Sequence, residues 1–346
     1  MIHLQNRPEL VDALAPKLTE IPFPSADAAR ARALISRCPV ASVTPLLSAP
    51  SLAAASGVAE VWVKDERARM GMGSFKALGA AYVIARHAQE DRARGMTYVT
   101  ASAGNHGLSV AAGAQVFGAK AVIFLADSVP DAFAMRLESL GATVRREGMI
   151  YEDSMAAAAS FAETEGYVLL SDSSWPGYTE LPHILMEGYL ALMAEVADAM
   201  AEPPTHIFLQ AGVGGLAVAC AVQTRASWGK TPRVVVVEPA AAPALQASVQ
   251  AGAPVRADGP VSSMGRLDCK EPSLIALKGL LRDADDFVTI TEAEAEHGAE
   301  VCSQVHLTST PSGAAGVAAL LAADHSQLGL TPSSRALVIL SEEPQP

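Results

Sequence analysis

Aromatic residues are scarce in this chain of 346 residues, at 5% of a composition that is 50% hydrophobic overall, so any core must be built from aliphatic side chains and alanine. Positive charge is also short, with 25 Lys and Arg against 37 Asp and Glu and a net charge of −12. No run of Lys or Arg gathers anywhere, so a nucleic-acid backbone or an anionic bilayer is a poor partner, and neither is expected. Apolar stretches are too short, or too interrupted by glycine and charge, to span a membrane. The opening residues, MIHLQNRPEL, lack the apolar segment of a secretory signal. Cys38, Cys220, Cys269 and Cys302 are scattered, with no C-x-x-C pair and no zinc-ligand pattern. Reduced thiols in the cytoplasm are the simplest reading, and no metal site is argued.

What the chain does have is alternation. Short β-rich runs are separated by alanine-rich helical stretches, the pattern of parallel sheets covered by helices. The expected strands are Glu60–Asp65, Thr97–Ser102, Ala121–Ala126, Thr143–Glu147, Tyr167–Asp172, His206–Ala211, Arg233–Pro239, Phe287–Thr291 and Ala336–Glu342. They predict an α/β fold with two open, mainly parallel sheets and a ligand between two domains. Polar QEDRARG near residue 90 and the pair Pro203-Pro204 break the pattern. Residues 1–88 plus 204–346 are therefore expected to form a large domain, and residues 89–203 a small inserted one.

In open parallel sheets ligands bind beyond the carboxyl ends of strands, which singles out three junctions. In TASAGNHG, the small residues around Ser102, Gly104 and Asn105 let backbone N–H groups and an amide approach a small anion, although a simple tight turn explains them too. In LQAGVGGLA, Gly212, Val213, Gly214 and Gly215 open a helix and can cradle a phosphate. The same segment fits a G-x-G-x-x-A dinucleotide fingerprint, with Glu238 as a ribose-binding acid, so a nicotinamide oxidoreductase is a competing reading. The third junction is ALVILSEE, whose strand carries the Ser341 hydroxyl at its tip.

A fourth stretch, GSFKALGAAY, sets Lys76 among small and apolar residues. An ordinary surface lysine is the default interpretation. An amine, a phosphate cradle, an amide-bearing loop and a hydroxyl at a strand tip together suit pyridoxal phosphate. The aldehyde needs an amine, and a shielded lysine loses part of its preference for the charged form. Lys76 then serves as both anchor and base for the substrate α-proton. A neutral hydroxyl at the ring nitrogen favours loss of a β-substituent over transamination.

These segments resemble the fold type II (tryptophan synthase β-like) pyridoxal phosphate enzymes, and within them the diaminopropionate ammonia-lyases. The resemblance runs in order through VKDERARMGMGSFKALG, SDSSWPGYTELPHILMEGY, PTHIFLQAGVGGLA, SSMGRLDCKEPS, PSGAAG and the final strand. It implies Lys76 as the Schiff-base lysine, Phe75 beside the ring, Asn105 at the ring hydroxyl, Gly212 to Gly215 at the phosphate and Ser341 at the pyridine nitrogen. It also implies that Ser102, Ala103 and Asn105 hold the substrate carboxylate, and that the enzyme is a homodimer.

Departures from the family pattern matter as well. Ala103 stands where the diaminopropionate enzymes carry an aspartate resembling the base for D-substrates, so only L-substrates are expected. Arg266 and Lys270 stand where glycine is usual. Solvated charge is the plain explanation, and an Arg266 contact with a second substrate carboxylate the sharper one. Thr310-Pro311 replaces the usual glutamate beside Ser-Gly, which leaves Asp172 as the acid for the leaving group. Trp175 and Tyr178 either close over the substrate or anchor a loop, and His106 more simply orients its own loop. The expected reaction is α,β-elimination from a small L-amino acid such as 2,3-diaminopropionate, giving a 2-oxo acid and ammonia. A serine, threonine or hydroxyaspartate dehydratase, and a binding protein without turnover, are the alternatives.

Overall fold

The computed structural model describes residues 1–344. Its strands are β1 (Ile2–Gln5), β2 (Leu46–Ser48), β3 (Glu60–Asp65), β4 (Thr97–Ala101), β5 (Lys120–Leu125), β6 (Thr143–Arg146), β7 (Val168–Leu169), β8 (His206–Gln210), β9 (Arg233–Pro239), β10 (Asp286–Ile290) and β11 (Arg335–Leu340). They form a seven-stranded sheet ordered β1-β10-β9-β8-β11-β3-β2 and a four-stranded sheet ordered β6-β5-β4-β7. All pairings are parallel except β1 with β10 and β2 with β3, at the two edges of the larger sheet.

Central strands are apolar along their whole length because helices cover both faces. In β9, Val234 to Val237 are fully buried, and every residue of β4, β8 and β10 is buried. The expected strands agree with those found to within a residue or two, apart from two differences. The stretch 167–172 pairs over Val168–Leu169 alone, then leaves the sheet and carries Asp172 towards the other one. The antiparallel edge strands β1 and β2 add to the expected set.

The helix Glu180–Ala199 is buried almost throughout its middle. It presses so closely on the turn Phe75–Leu78 that a Cβ at Gly188 would lie 2.0 Å from the Leu78 carbonyl oxygen, so only glycine fits there. Beneath this contact lies a fully enclosed ionic cluster. Arg69 reaches Glu66 through Nε (2.7 Å) and Nη2 (2.7 Å), and Glu195 through Nη1 (2.8 Å) and Nη2 (2.7 Å). Lys64 Nζ donates to Glu195 (2.6 Å), and Thr44 Oγ1 to Glu66 (2.5 Å). Two cations face two carboxylates with their hydrogen bonds filled, the condition under which buried charge is tolerated. Glu66 thus ties the end of β3 to Thr44 and Arg69, whereas Asp65 pairs with Arg67 at 2.7 Å.

Candidate active site

Carboxyl ends of β3, β4, β8 and β11 deliver the singled-out segments, and the stretch after β7 brings Asp172 to them. Lys76 lies in the 3-10 turn Phe75–Leu78, capped by the Ser74 hydroxyl, which accepts from the Lys76 N–H at 3.2 Å. Its Nζ donates to Asp172 Oδ2, and the two side chains are 21% and 20% exposed. The ammonium also lies 5.4 Å from the Phe75 ring centre and 5.9 Å from that of Tyr189.

The sequence leads one to expect a lysine pushed toward neutrality, and here the structure differs. Burial does disfavour the ammonium, but the facing Asp172 carboxylate outweighs it and holds Lys76 above the ordinary lysine value. Asp172 mirrors this. Burial would raise it, yet Lys76 and nearby His106 hold it well below the usual carboxylate range. His106 donates from Nε2 to the Leu170 carbonyl at 2.8 Å, and burial lowers its pKa. Its Nδ1 is buried without a hydrogen-bond partner.

Asn105 opens the helix Asn105–Val116. Ser102 Oγ accepts from the N–H groups of Gly104 (3.2 Å) and Gly107 (3.1 Å), which shapes the loop between them. The Arg266 guanidinium lies along the same loop, its Nη1 donating to the Ala103 carbonyl at 3.2 Å. Lys270, by contrast, is pinned outside the site by the Ala241 and Pro260 carbonyls, at 2.8 Å each, and by Asp268 at 2.6 Å.

Gly212–Gly215 joins β8 to the helix Gly215–Trp228. Gly214 has φ +99°, and a Cβ there would lie 2.9 Å from that of Ala276. At Gly212 a Cβ would lie 2.9 Å from Cys269 Sγ. Val213 is fixed through its carbonyl, which accepts from the Ser273 N–H at 3.0 Å. Tyr189 links this loop to the lysine, since its ring lies 3.6 Å from a Cβ built on Gly215 and edge-on to Phe75 at 4.9 Å. Its hydroxyl is buried without a hydrogen-bond partner, and burial pushes its pKa up to about 12. A strand-to-helix loop that requires glycine at 212 and 214, an amine at its edge and an orphaned hydroxyl between them fit a phosphorylated carbonyl cofactor.

Ser341 is buried at the tip of β11; its N–H donates to the Gly313 carbonyl (3.2 Å), and its carbonyl accepts from the Phe75 N–H (3.1 Å). Trp175 and Tyr178 stack on each other at 4.3 Å, and Tyr178 Oη donates to the Leu169 carbonyl at 2.8 Å, the loop-anchoring arrangement. Glu238, the candidate ribose acid, is wholly buried and accepts from the N–H groups of Leu245 (2.7 Å) and Gln246 (2.8 Å). It cannot serve a dinucleotide.

Two residues of this region escaped the sequence reading, Tyr189 and Glu342. Glu342 follows Ser341 and Tyr189 ends the stretch SDSSWPGYTELPHILMEGY, but their side chains meet the site only through folding. Among the described residues no cluster of His, Cys, Asp and Glu is arranged to hold a metal ion, and no helix is long and apolar enough to cross a membrane.

Two mainly parallel sheets with a lysine, a glycine cradle and an amide loop at their facing strand ends define a class of cofactor enzyme. Residues 39–342 match the family described as pyridoxal-phosphate dependent enzyme, and the chain belongs to it. Its cofactor is pyridoxal phosphate, and it is a lyase. It is 30% identical over 318 residues to a diaminopropionate ammonia-lyase of Salmonella typhimurium, covering 82% of this chain and 79% of that one. An Escherichia coli diaminopropionate ammonia lyase, solved in complex with an aminoacrylate-PLP azomethine reaction intermediate, superposes with a TM-score of 0.85 at 29% identity, covering 93% of this chain and 89% of that one. An L-threonine ammonia-lyase of Thermotoga maritima is 29% identical over 264 residues, 76% of this chain and 63% of that one.

Proposed function

We propose that this lyase removes the β-substituent of a small L-amino acid, with 2,3-diaminopropionate as first candidate, releasing a 2-oxo acid and ammonia. The observation that carries this is the Lys76–Asp172 pair at the mouth of a glycine cradle. Pyridoxal phosphate, when bound, supplies an aldehyde for an amine and withdraws electrons from the substrate α-carbon. Lys76 would hold the aldehyde, Gly212, Val213, Gly214 and Gly215 the phosphate, Asn105 and Ser341 the polar edge of the ring, and Phe75 one side of it. Ser102, Ala103 and Asn105 would bind the substrate carboxylate.

Proton movements fall to the chain's own groups. Lys76 Nζ, an ammonium in the unloaded site, first gives a proton to Asp172, and as the neutral amine it takes the α-proton. Asp172 stays ionised chiefly because a cation faces it, so loss of that charge leaves burial to raise its proton affinity. It can then hold the proton received from Lys76 and pass it to the departing amine. The test is a visible absorption band in the purified enzyme, removed by borohydride and absent in Lys76→Ala, together with keto-acid release from L-2,3-diaminopropionate. An enzyme with the band but no keto acid from any β-substituted L-amino acid refutes the reading.

A second reading, a hydroxyaspartate-type dehydratase, is favoured by one observation, the Arg266 guanidinium lying on the loop assigned to the substrate carboxylate. An unchanged KM for such a dicarboxylate in Arg266→Ala removes it. The same proposal includes the partition into residues 1–88 plus 204–346 and 89–203, a homodimer and a cytoplasmic location. Sedimentation equilibrium tests the dimer.

A further inference from the structure

Immediately after Ser341 stands a carboxylate with no role in the scheme above. Glu342 is 3% exposed although it follows the last strand of the larger sheet. Its Oε1 accepts from Thr310 Oγ1 at 2.5 Å, and its Oε2 accepts from Asn105 Nδ2 at 2.6 Å. Arg266 Nε lies 4.0 Å from the same Oε2. Its backbone carbonyl accepts from Ser309 Oγ at 2.5 Å, and a Cβ at Gly313 would lie 2.9 Å from its Cγ. One side chain thus gathers the asparagine loop, the segment 309–313 and the arginine loop around the Lys76 site.

We infer that Glu342 is a positioning residue that fixes the orientation of the Asn105 amide and balances the Arg266 charge beside it. An amide group can present its oxygen or its nitrogen with equal ease, and the choice is set by what faces it. An ionised carboxylate only accepts, so it requires Nδ2 to face Glu342 and thereby dictates the direction of Oδ1. Thr310 and Arg266 favour the ionised form, whereas burial opposes it and raises the Glu342 pKa. Lys76 also contributes to its field. The Asn105 orientation is therefore coupled to one proton on Glu342.

This inference rests on the assignment of Lys76 and Asn105 to the cofactor, and the experiment separates the two. The holoenzymes of wild type and Glu342→Gln are compared by visible circular dichroism, by pH titration of the visible band, and by kcat and KM. Glutamine matches the shape but offers a donor on one arm and carries no charge. We expect the band to remain, its dichroism and titration midpoint to shift, and kcat to fall about tenfold to a hundredfold, the rate equivalent of one buried charge-assisted hydrogen bond, with KM changing less than about threefold. Glu342→Asp, with its charge drawn back by one methylene, should shift the same signals and supplies the reading if the glutamine variant does not fold. A wild type without a visible band overturns the Lys76 assignment and this inference with it. Variants whose dichroism, titration and kcat overlay the wild type, even with lowered thermal stability, overturn this inference alone and leave Glu342 a purely structural tie.

Discussion

Lys76 and Asp172, 96 residues apart in sequence, form an ion pair whose members are each only about one-fifth exposed. Each holds the other charged against the pull of burial, so the unloaded site stores a proton on the lysine and a vacancy for one on the aspartate. Asp172→Asn keeps the size and a hydrogen-bonding group but removes proton acceptance. The variant should retain the visible band and lose turnover by about 10²- to 10⁴-fold, the usual contribution of a positioned acid or base. Steady-state kinetics alongside absorption spectra check this; near-normal kcat would assign Asp172 to charge balance only.

Stereochemistry gives a second prediction. The loop from Ser102 to Asn105 carries no ionisable side chain, and the Ala103 position offers a methyl group and a carbonyl already bonded to Arg266. With Lys76 as the base, proton removal is confined to the side from which that amine approaches. L-2,3-diaminopropionate should be consumed and the D-enantiomer left intact in a chiral chromatographic assay. Equal consumption of both would require a second base.

Much of this was legible in the chain because the informative features are local. Strand runs such as RVVVVEP declare themselves by unbroken branched residues, and GVGG declares a tight strand-to-helix turn, in which Gly214 takes a left-handed conformation that other residue types rarely adopt. The edge strands Ile2–Gln5 and Leu46–Ser48 are short and half-exposed, with neither a continuous apolar run nor enough alternation to mark them. Glu342 and Tyr189 carry no local signature either. Glu342 meets Asn105 across 237 positions, and the Tyr189 hydroxyl is notable only because packing leaves it without a partner. The net charge on Lys76 was misjudged for the same reason, since burial can be read from neighbours in sequence and a facing aspartate cannot.

The ionic cluster around Arg69 should dominate stability in that region. Replacing Arg69 by methionine leaves Glu66 and Glu195 enclosed with Lys64 as their one remaining cation among the described residues of the cluster. Breaking such a buried network costs about 3–5 kcal/mol, measurable as a lower urea midpoint at unchanged slope. Removing the exposed Arg92–Glu90 pair should change stability by less than about 1 kcal/mol. Similar losses for the two variants would mean that the enclosed cluster is already screened by solvent.

Glu238 allows a prediction whose sign is fixed by linkage. It is fully buried, and with two backbone N–H groups but no cation to offset burial its carboxyl is pushed from 4.5 up to about 8. A folded-state value above the unfolded one means that folding favours the protonated form. The stability this group contributes is therefore complete below pH 4.5 and is lost as pH rises through about 8. Glu238→Gln is neutral at every pH and lacks that dependence, although it exchanges one acceptor for a donor and starts from lower stability. The gap between wild type and variant should be widest near about pH 5 and narrow toward about pH 9, with a slope of at most about 1.4 kcal/mol per pH unit, the limit for one proton. Urea midpoints across that range measure it. A gap that stays constant would mean that the two N–H groups keep Glu238 ionised in the folded protein, and that the helix start they belong to stabilises a buried charge unaided.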